Sequence, residues 1–169
     1  MIPCILAIDP GASGGIVELW PDGNAAACAM PDDADLRDLI DEWKNNVLLN
    51  DYKPVCFLEL VGGYIGGSPA PGSAMFNFGN GYGYIRGCLA AYRIETRLVR
   101  PQTWQAGIPG VKGCKEKADR KRALKEHAAR LFPGLKVTLS TADALCIADW
   151  ARRELNRPAP VQAQQEIPL

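Results

Sequence analysis

The sequence predicts an α/β fold: a mixed sheet with an antiparallel meander of three strands, then parallel strands, flanked by helices. Three observations lead there. Residues 4–8 (Cys-Ile-Leu-Ala-Ile) and 54–58 (Pro-Val-Cys-Phe-Leu) are short apolar runs of the kind buried on both faces of a sheet. Between residues 14 and 30, alternating segments are separated by turn residues, as in a meander. From residue 32 onward helical periodicity alternates with strands, the pattern of parallel crossovers.

The first strand ends at Asp9, followed at once by Pro10 and Gly11. Residues 14–20 alternate apolar and polar side chains, 21–24 (Pro-Asp-Gly-Asn) supply a turn, and 25–30 pair back as a third strand. In 32–49, Leu36, Leu39, Ile40, Trp43 and Val47 fall at helical spacing, with acids in the first turn where the helix dipole favours them. The strand at 54–60 carries a second carboxylate near its end, Glu59. Residues 61–72 are Gly/Pro-rich and irregular. A helix follows over 73–92, where Gly79, Gly83 and Gly87 share one face that admits a close backbone, either this chain's own sheet or a second copy. Residues 93–99 read as a strand and 101–113 as a loop. Residues 114–132 form a basic amphipathic helix with Ala118, Leu124, Ala128 and Leu131 inward, stopped by Pro133-Gly134. A short extended piece over 135–139 leads to the last helix, 140–155. One domain is expected over 1–155 and a flexible tail over 156–169.

The chain has 169 residues and a formal net charge of zero, ordinary for a globular protein with a substantial core. No apolar run reaches the ~20 residues of a membrane span, and no signal peptide is evident, so the cytoplasm is the expected location. Six scattered cysteines and a single histidine, His127, argue against a zinc site; all six thiols are expected reduced. The neutral total hides a split. Residues 1–60 carry 11 acids and 3 bases, whereas residues 84–136 carry 4 acids and 13 bases. A local anionic partner is implied.

Asp9 and Glu59 each close a buried strand, at the end where ligands gather in parallel sheets. Neighbouring carboxylates repel, and one protonates unless a cation lies between them. Hard divalent ions such as Mg²⁺ take oxygen ligands, and a pair of ions held by carboxylates is a clamp for phosphodiester hydrolysis. The last helix offers Asp143. Ser140 three residues earlier also makes a capping box with Asp in place of Glu, and capping does not exclude ligation. Asp149 lies about 120° from Asp143 around the helix and at ion-pair spacing from Arg153.

Residues 7–17 (Ala-Ile-Asp-Pro-Gly-Ala-Ser-Gly-Gly-Ile-Val), 57–61 (Phe-Leu-Glu-Leu-Val), the glycine-spaced helix, and 142–151 (Ala-Asp-Ala-Leu-Cys-Ile-Ala-Asp-Trp-Ala) after a basic helix resemble the RuvC family of Holliday junction resolvases. These are RNase H-like nucleases, and the chain is similar to the compact, phage-type members over residues 3 to 154. The resemblance implies an RNase H-like fold and makes Asp9, Glu59 and Asp143 catalytic metal ligands. The cofactor would be Mg²⁺, with Mn²⁺ as a substitute, at one or two ions per subunit. One ion would acidify the attacking water and the other stabilise the departing 3′-oxygen, leaving a 5′-phosphate and a 3′-hydroxyl. The family presents a further acid or histidine three positions before its last Asp. Here that position is Ser140, so the fourth ligand is left open among Ser140, Thr141, a water and Asp149.

The expected partner is branched DNA, met by a homodimer in a bacterial cell or phage-infected host; a helicase partner is not legible. Lys112, Lys115, Lys117, Arg120, Lys121, Arg122 and Lys125 give seven bases against two acids in 14 residues, suited to phosphate contacts. Tyr64, in the glycine-rich loop after Glu59, is placed to stack on a base or wedge into an opened junction. Two other readings remain at this level. One is a branched-DNA binder of the same fold that does not cut. The other is a nucleotide site of the actin-like or sugar-kinase type, which needs a second lobe that 169 residues do not supply.

Overall fold

In the computed structural model, which describes residues 1–62, 72–114 and 116–158, two parallel strands lie side by side at the middle of a five-stranded sheet. These are β1 (Pro3–Asp9) and β4 (Lys53–Glu59). With β2 (Gly15–Leu19), β3 (Ala25–Ala29) and β5 (Glu95–Val99) the order is β3-β2-β1-β4-β5. The β1–β2 and β2–β3 pairs are antiparallel, and β1–β4 and β4–β5 are parallel. The expected mixed sheet is the observed one.

Strand periodicity splits the core in two. Cys4, Leu6 and Ile8 of β1, with Cys56 and Leu58 of β4, pack against Leu36, Ile40, Trp43 and Val47 of α1 (Asp33–Leu49) and Ile85 and Leu89 of α2 (Gly72–Ala91). The alternate set, Ile5, Ala7, Val55 and Phe57, faces Leu124 and Ala128 of α4 (Lys117–Leu131) and the buried side of α5 (Ala142–Leu155). Because side chains alternate along a strand, Asp9 and Glu59 continue this second set and share its face with α5. The register pairs Ile8 with Leu58, which brings the two carboxylates together at adjacent strand ends. α5 lies deep, with Ala142, Ala144, Ala148 and Ala151 among its buried residues; small side chains let its backbone approach the sheet.

Several local expectations give way. Residues 101–113 begin not as loop but with a helical turn, α3 (Pro101–Trp104), started by Pro101, whose missing N–H costs nothing at a helix N-terminus. The capping box on Ser140 is absent. Thr141 is the N-cap of α5 and makes no side-chain cap bond; instead Thr138 and Thr141 each donate a backbone N–H to the other's hydroxyl, at 3.0 and 3.2 Å. Nor do the α2 glycines serve close packing on this chain's own sheet. Gly79, Gly83 and Gly87 are exposed, and a methyl group on any of them would meet open space. Ala118, expected inward on α4, is exposed.

Candidate active site

Asp9, Glu59 and Asp143 come from three elements and converge beyond the carboxyl ends of β1 and β4. The turn after Asp9 is shaped by close approach. A methyl group on Gly14 would stand 2.2 Å from the Asp9 carbonyl oxygen, and one on Gly15 2.7 Å from the Ser140 carbonyl oxygen, so only glycine lets the segment entering α5 pass over the start of β2. Asp143 then sits in the first turn of α5, 7% exposed. Released from capping, its carboxylate turns to the site.

The three groups act on one another. Burial raises the Asp9 pKa above the usual carboxylate range and the Asp143 charge raises it further, while the Lys121 ammonium opposes the shift. Glu59 is pushed up to about 7, first by burial and then by the Asp9 charge, against a hydrogen bond from Trp104. The Trp104 indole Nε1–H donates to Glu59 Oε1 at 3.2 Å from a fully buried ring in α3. This residue was missed in the sequence because 101–113 reads as loop; an apolar residue three positions after Pro101 was its only signal.

Lys121 reaches the carboxylates as well. Read from the sequence as a phosphate contact, its ammonium donates to Asp143 Oδ2 at 2.8 Å and lies 4.0 Å from Asp9 Oδ2. The signal was available: Lys121, Leu124 and Ala128 follow i, i+3, i+7 spacing, and the last two are buried. Asp143 Oδ1 is buried with no hydrogen-bond partner. Such an orphan is costly unless a cation or donor meets it.

The donor set is all oxygen and net negative, which suits a hard divalent cation. Among the described residues, however, no group of three or more His, Cys, Asp or Glu side chains already stands in metal-holding geometry. An ammonium bridges Asp143 and Asp9 instead. Asp149 is buried but not available, since Arg152 and Arg153 donate to its two oxygens at 2.8 and 2.9 Å. Ser140 is half-buried with its carbonyl against Gly15.

Two grooves flank the carboxylates. One, about 630 Å³, is lined by Lys117, Ala118, Lys121, Arg122, Lys125 and Leu139, bringing together four of the expected DNA-binding bases. The other, about 470 Å³, is lined by Glu59, Leu60, Val61, Gly62, Arg100, Pro101 and Gln102, adding Arg100, which sequence reading did not single out. Lys112 is exposed in the turn before α4, and Arg120 is half-buried with its Nε unpartnered. Tyr64 and Lys115 lie outside the described residues, as does most of the glycine-rich loop. No helix among the described residues is long and apolar enough to cross a membrane.

No family model and no curated sequence matches the chain. Solved structures do match. Thermus thermophilus RuvC superposes with a TM-score of 0.55 at 13% identity, covering 89% of this chain and 96% of that one. T. thermophilus RuvC in complex with a Holliday junction substrate gives 0.58 at 12% identity, covering 89% and 95%. At such identities the likeness is one of fold, and the chain has the RNase H-like fold that RuvC has.

Proposed function

We propose that the chain is a divalent-metal-dependent endonuclease that cuts branched DNA, four-way junctions first among them, leaving a 5′-phosphate and a 3′-hydroxyl. The observation that carries this reading is the convergence of Asp9, Glu59 and Asp143 at the strand ends with Asp143 Oδ1 buried and unpartnered. The similar fold solved on a Holliday junction substrate supports the choice of DNA class.

Asp9, Glu59 and Asp143 would hold Mg²⁺ or Mn²⁺. Bound there, the cation supplies Lewis acidity toward a phosphate oxygen and a water molecule. The remaining work belongs to the chain. Trp104 orients Glu59 through its N–H and keeps that carboxylate aimed at the site. Lys117, Arg122 and Lys125 line a groove beside Asp143, where they would hold the backbone of the cut strand through its phosphates. Two symmetric nicks suit a two-fold dimer, and the open glycine face of α2, with Phe76 exposed beside it, is the surface we assign to that contact.

The deciding assay is nicking of a synthetic four-way junction against linear duplex in Mg²⁺ and in Mn²⁺. Cleavage of the junction by the wild type and its loss in Asp9→Asn support the nuclease. One observation favours the second reading, a branched-DNA binder that does not cut: a lysine already bridges two of the three carboxylates. Tight junction binding with no cutting in either metal would establish that reading instead.

A further inference from the structure

A metal clamp built on carboxylates must balance charge, and this one contains a cation of its own. Three carboxylates, Asp9, Glu59 and Asp143, carry three negative charges when ionised. The Lys121 ammonium neutralises one, donating to Asp143 Oδ2 at 2.8 Å and lying 4.0 Å from Asp9 Oδ2. A single divalent cation neutralises the other two. A second would leave the cluster in positive excess beside an ammonium in a partly dry site, where like charges repel strongly.

Nothing in the chain offsets that excess. The position that could have added a fourth carboxylate holds Ser140, whose hydroxyl is neutral. Asp149 is engaged by Arg152 and Arg153. The lysine itself is not a surface residue that happens to fold back. Leu124 and Ala128 bury its helix face against α5, and about a quarter of its side chain remains exposed. Meanwhile Asp143 Oδ1 has no partner, so the trio retains a free and desolvated acceptor while the ammonium is in place.

We propose that Lys121 is a permanent member of the site's cation set, standing in for one of two divalent ions, so that each chain binds a single one. This rests on the metal-dependent reading above and deepens it. Lys121 is a positioning residue: it holds Asp143 and Asp9 and sets the charge that the bound ion must complete.

The test is a Mn²⁺ titration of the full-length protein, followed by electron paramagnetic resonance of free Mn²⁺, with circular dichroism to verify folding of the variant. The wild type is expected to bind one Mn²⁺ per chain. Lys121→Met, which removes the competing charge, is expected to bind Mn²⁺ at least about tenfold more tightly. Two ions per wild-type chain, or unchanged affinity in a folded Lys121→Met, would overturn the inference and leave the nuclease reading standing. No Mn²⁺ bound by the wild type would overturn the metal-dependent reading and the inference with it. The wild-type stoichiometry decides the matter even if the variant does not fold.

Discussion

Asp143 owes its position to what it does not do. It is not spent on a helix cap: the N-cap Thr141 makes no side-chain cap bond and exchanges hydrogen bonds with Thr138, and the Asp143 carboxylate meets Lys121 at the site. Trp104 has the matching role for Glu59, a buried donor that fixes a carboxylate's direction. Trp104→Phe keeps the ring and deletes the N–H; it should weaken metal affinity roughly tenfold while costing about 1 kcal/mol of stability. Equilibrium Mn²⁺ binding and a thermal melt check both, and unchanged affinity would mean that Trp104 does not position Glu59 for a metal ion. Residues of this kind separate what sequence reading reaches from what it does not. Asp9 and Glu59 were legible because each interrupts an apolar run with a carboxylate, which a buried strand tolerates only for a reason. Trp104 was not, because its partner lies 45 positions away and nothing local marks the pair. Lys121 was found but given an outward role, although its spacing with Leu124 and Ala128 points inward.

At the scale of elements, α4 presents two different faces. Leu124 and Ala128 anchor it on α5, while Lys117, Arg122 and Lys125 line the adjacent groove. Replacing any one of these three bases by alanine should weaken junction binding across sequences and reduce the salt slope of log affinity by roughly one unit. Fluorescence anisotropy at several salt concentrations reads this directly, and an unchanged slope would place the DNA elsewhere. α2 makes the complementary case. Its glycines lie exposed with open space before them, so sequence periodicity identified the face but not what it meets. If α2 forms the proposed dimer contact, a bulky substitution there, Gly83→Arg, should leave the fold intact and shift sedimentation from dimer to monomer; a wild-type monomer at micromolar concentration would contradict the proposed dimer. Periodic elements were legible throughout, since burial on one face leaves a repeating mark. The α3 turn was not, because one helical turn is too short to leave a periodic mark, and the entry to α5 was not, because it is set by close approach to Gly15, distant in the chain.

The whole molecule gathers acidic strand ends on a sheet and covers them with a basic helix, an arrangement that stores charge in the metal-free state. The Glu59 carboxyl is raised from 4.5 to about 7 on folding, chiefly by burial, and Asp9 shifts the same way. Between those values the folded protein holds a proton that the unfolded chain has released. Stability from this group is therefore full below the unfolded value and lost as pH rises through about 7, amounting to at most about 3 kcal/mol. The metal-free melting temperature should fall between pH 5 and pH 8, and Glu59→Gln should flatten that slope; a melting temperature that rises over the same interval would contradict the shift. On the proposed metal-dependent reading a divalent cation would take over the proton's role, so Mg²⁺ should recover stability most at the alkaline end. The partly buried, mutually repelling trio of Asp9, Glu59 and Asp143 is proposed to cut DNA at a branch. The most direct test is cleavage of a labelled four-way junction beside its linear duplex control, by wild type and Asp9→Asn, with Mg²⁺ or with chelator. Junction nicks with 5′-phosphate ends are expected for wild type in Mg²⁺, and none for linear duplex, Asp9→Asn or chelator. Equal cutting by wild type and Asp9→Asn, or cutting that survives chelation, would contradict that proposal.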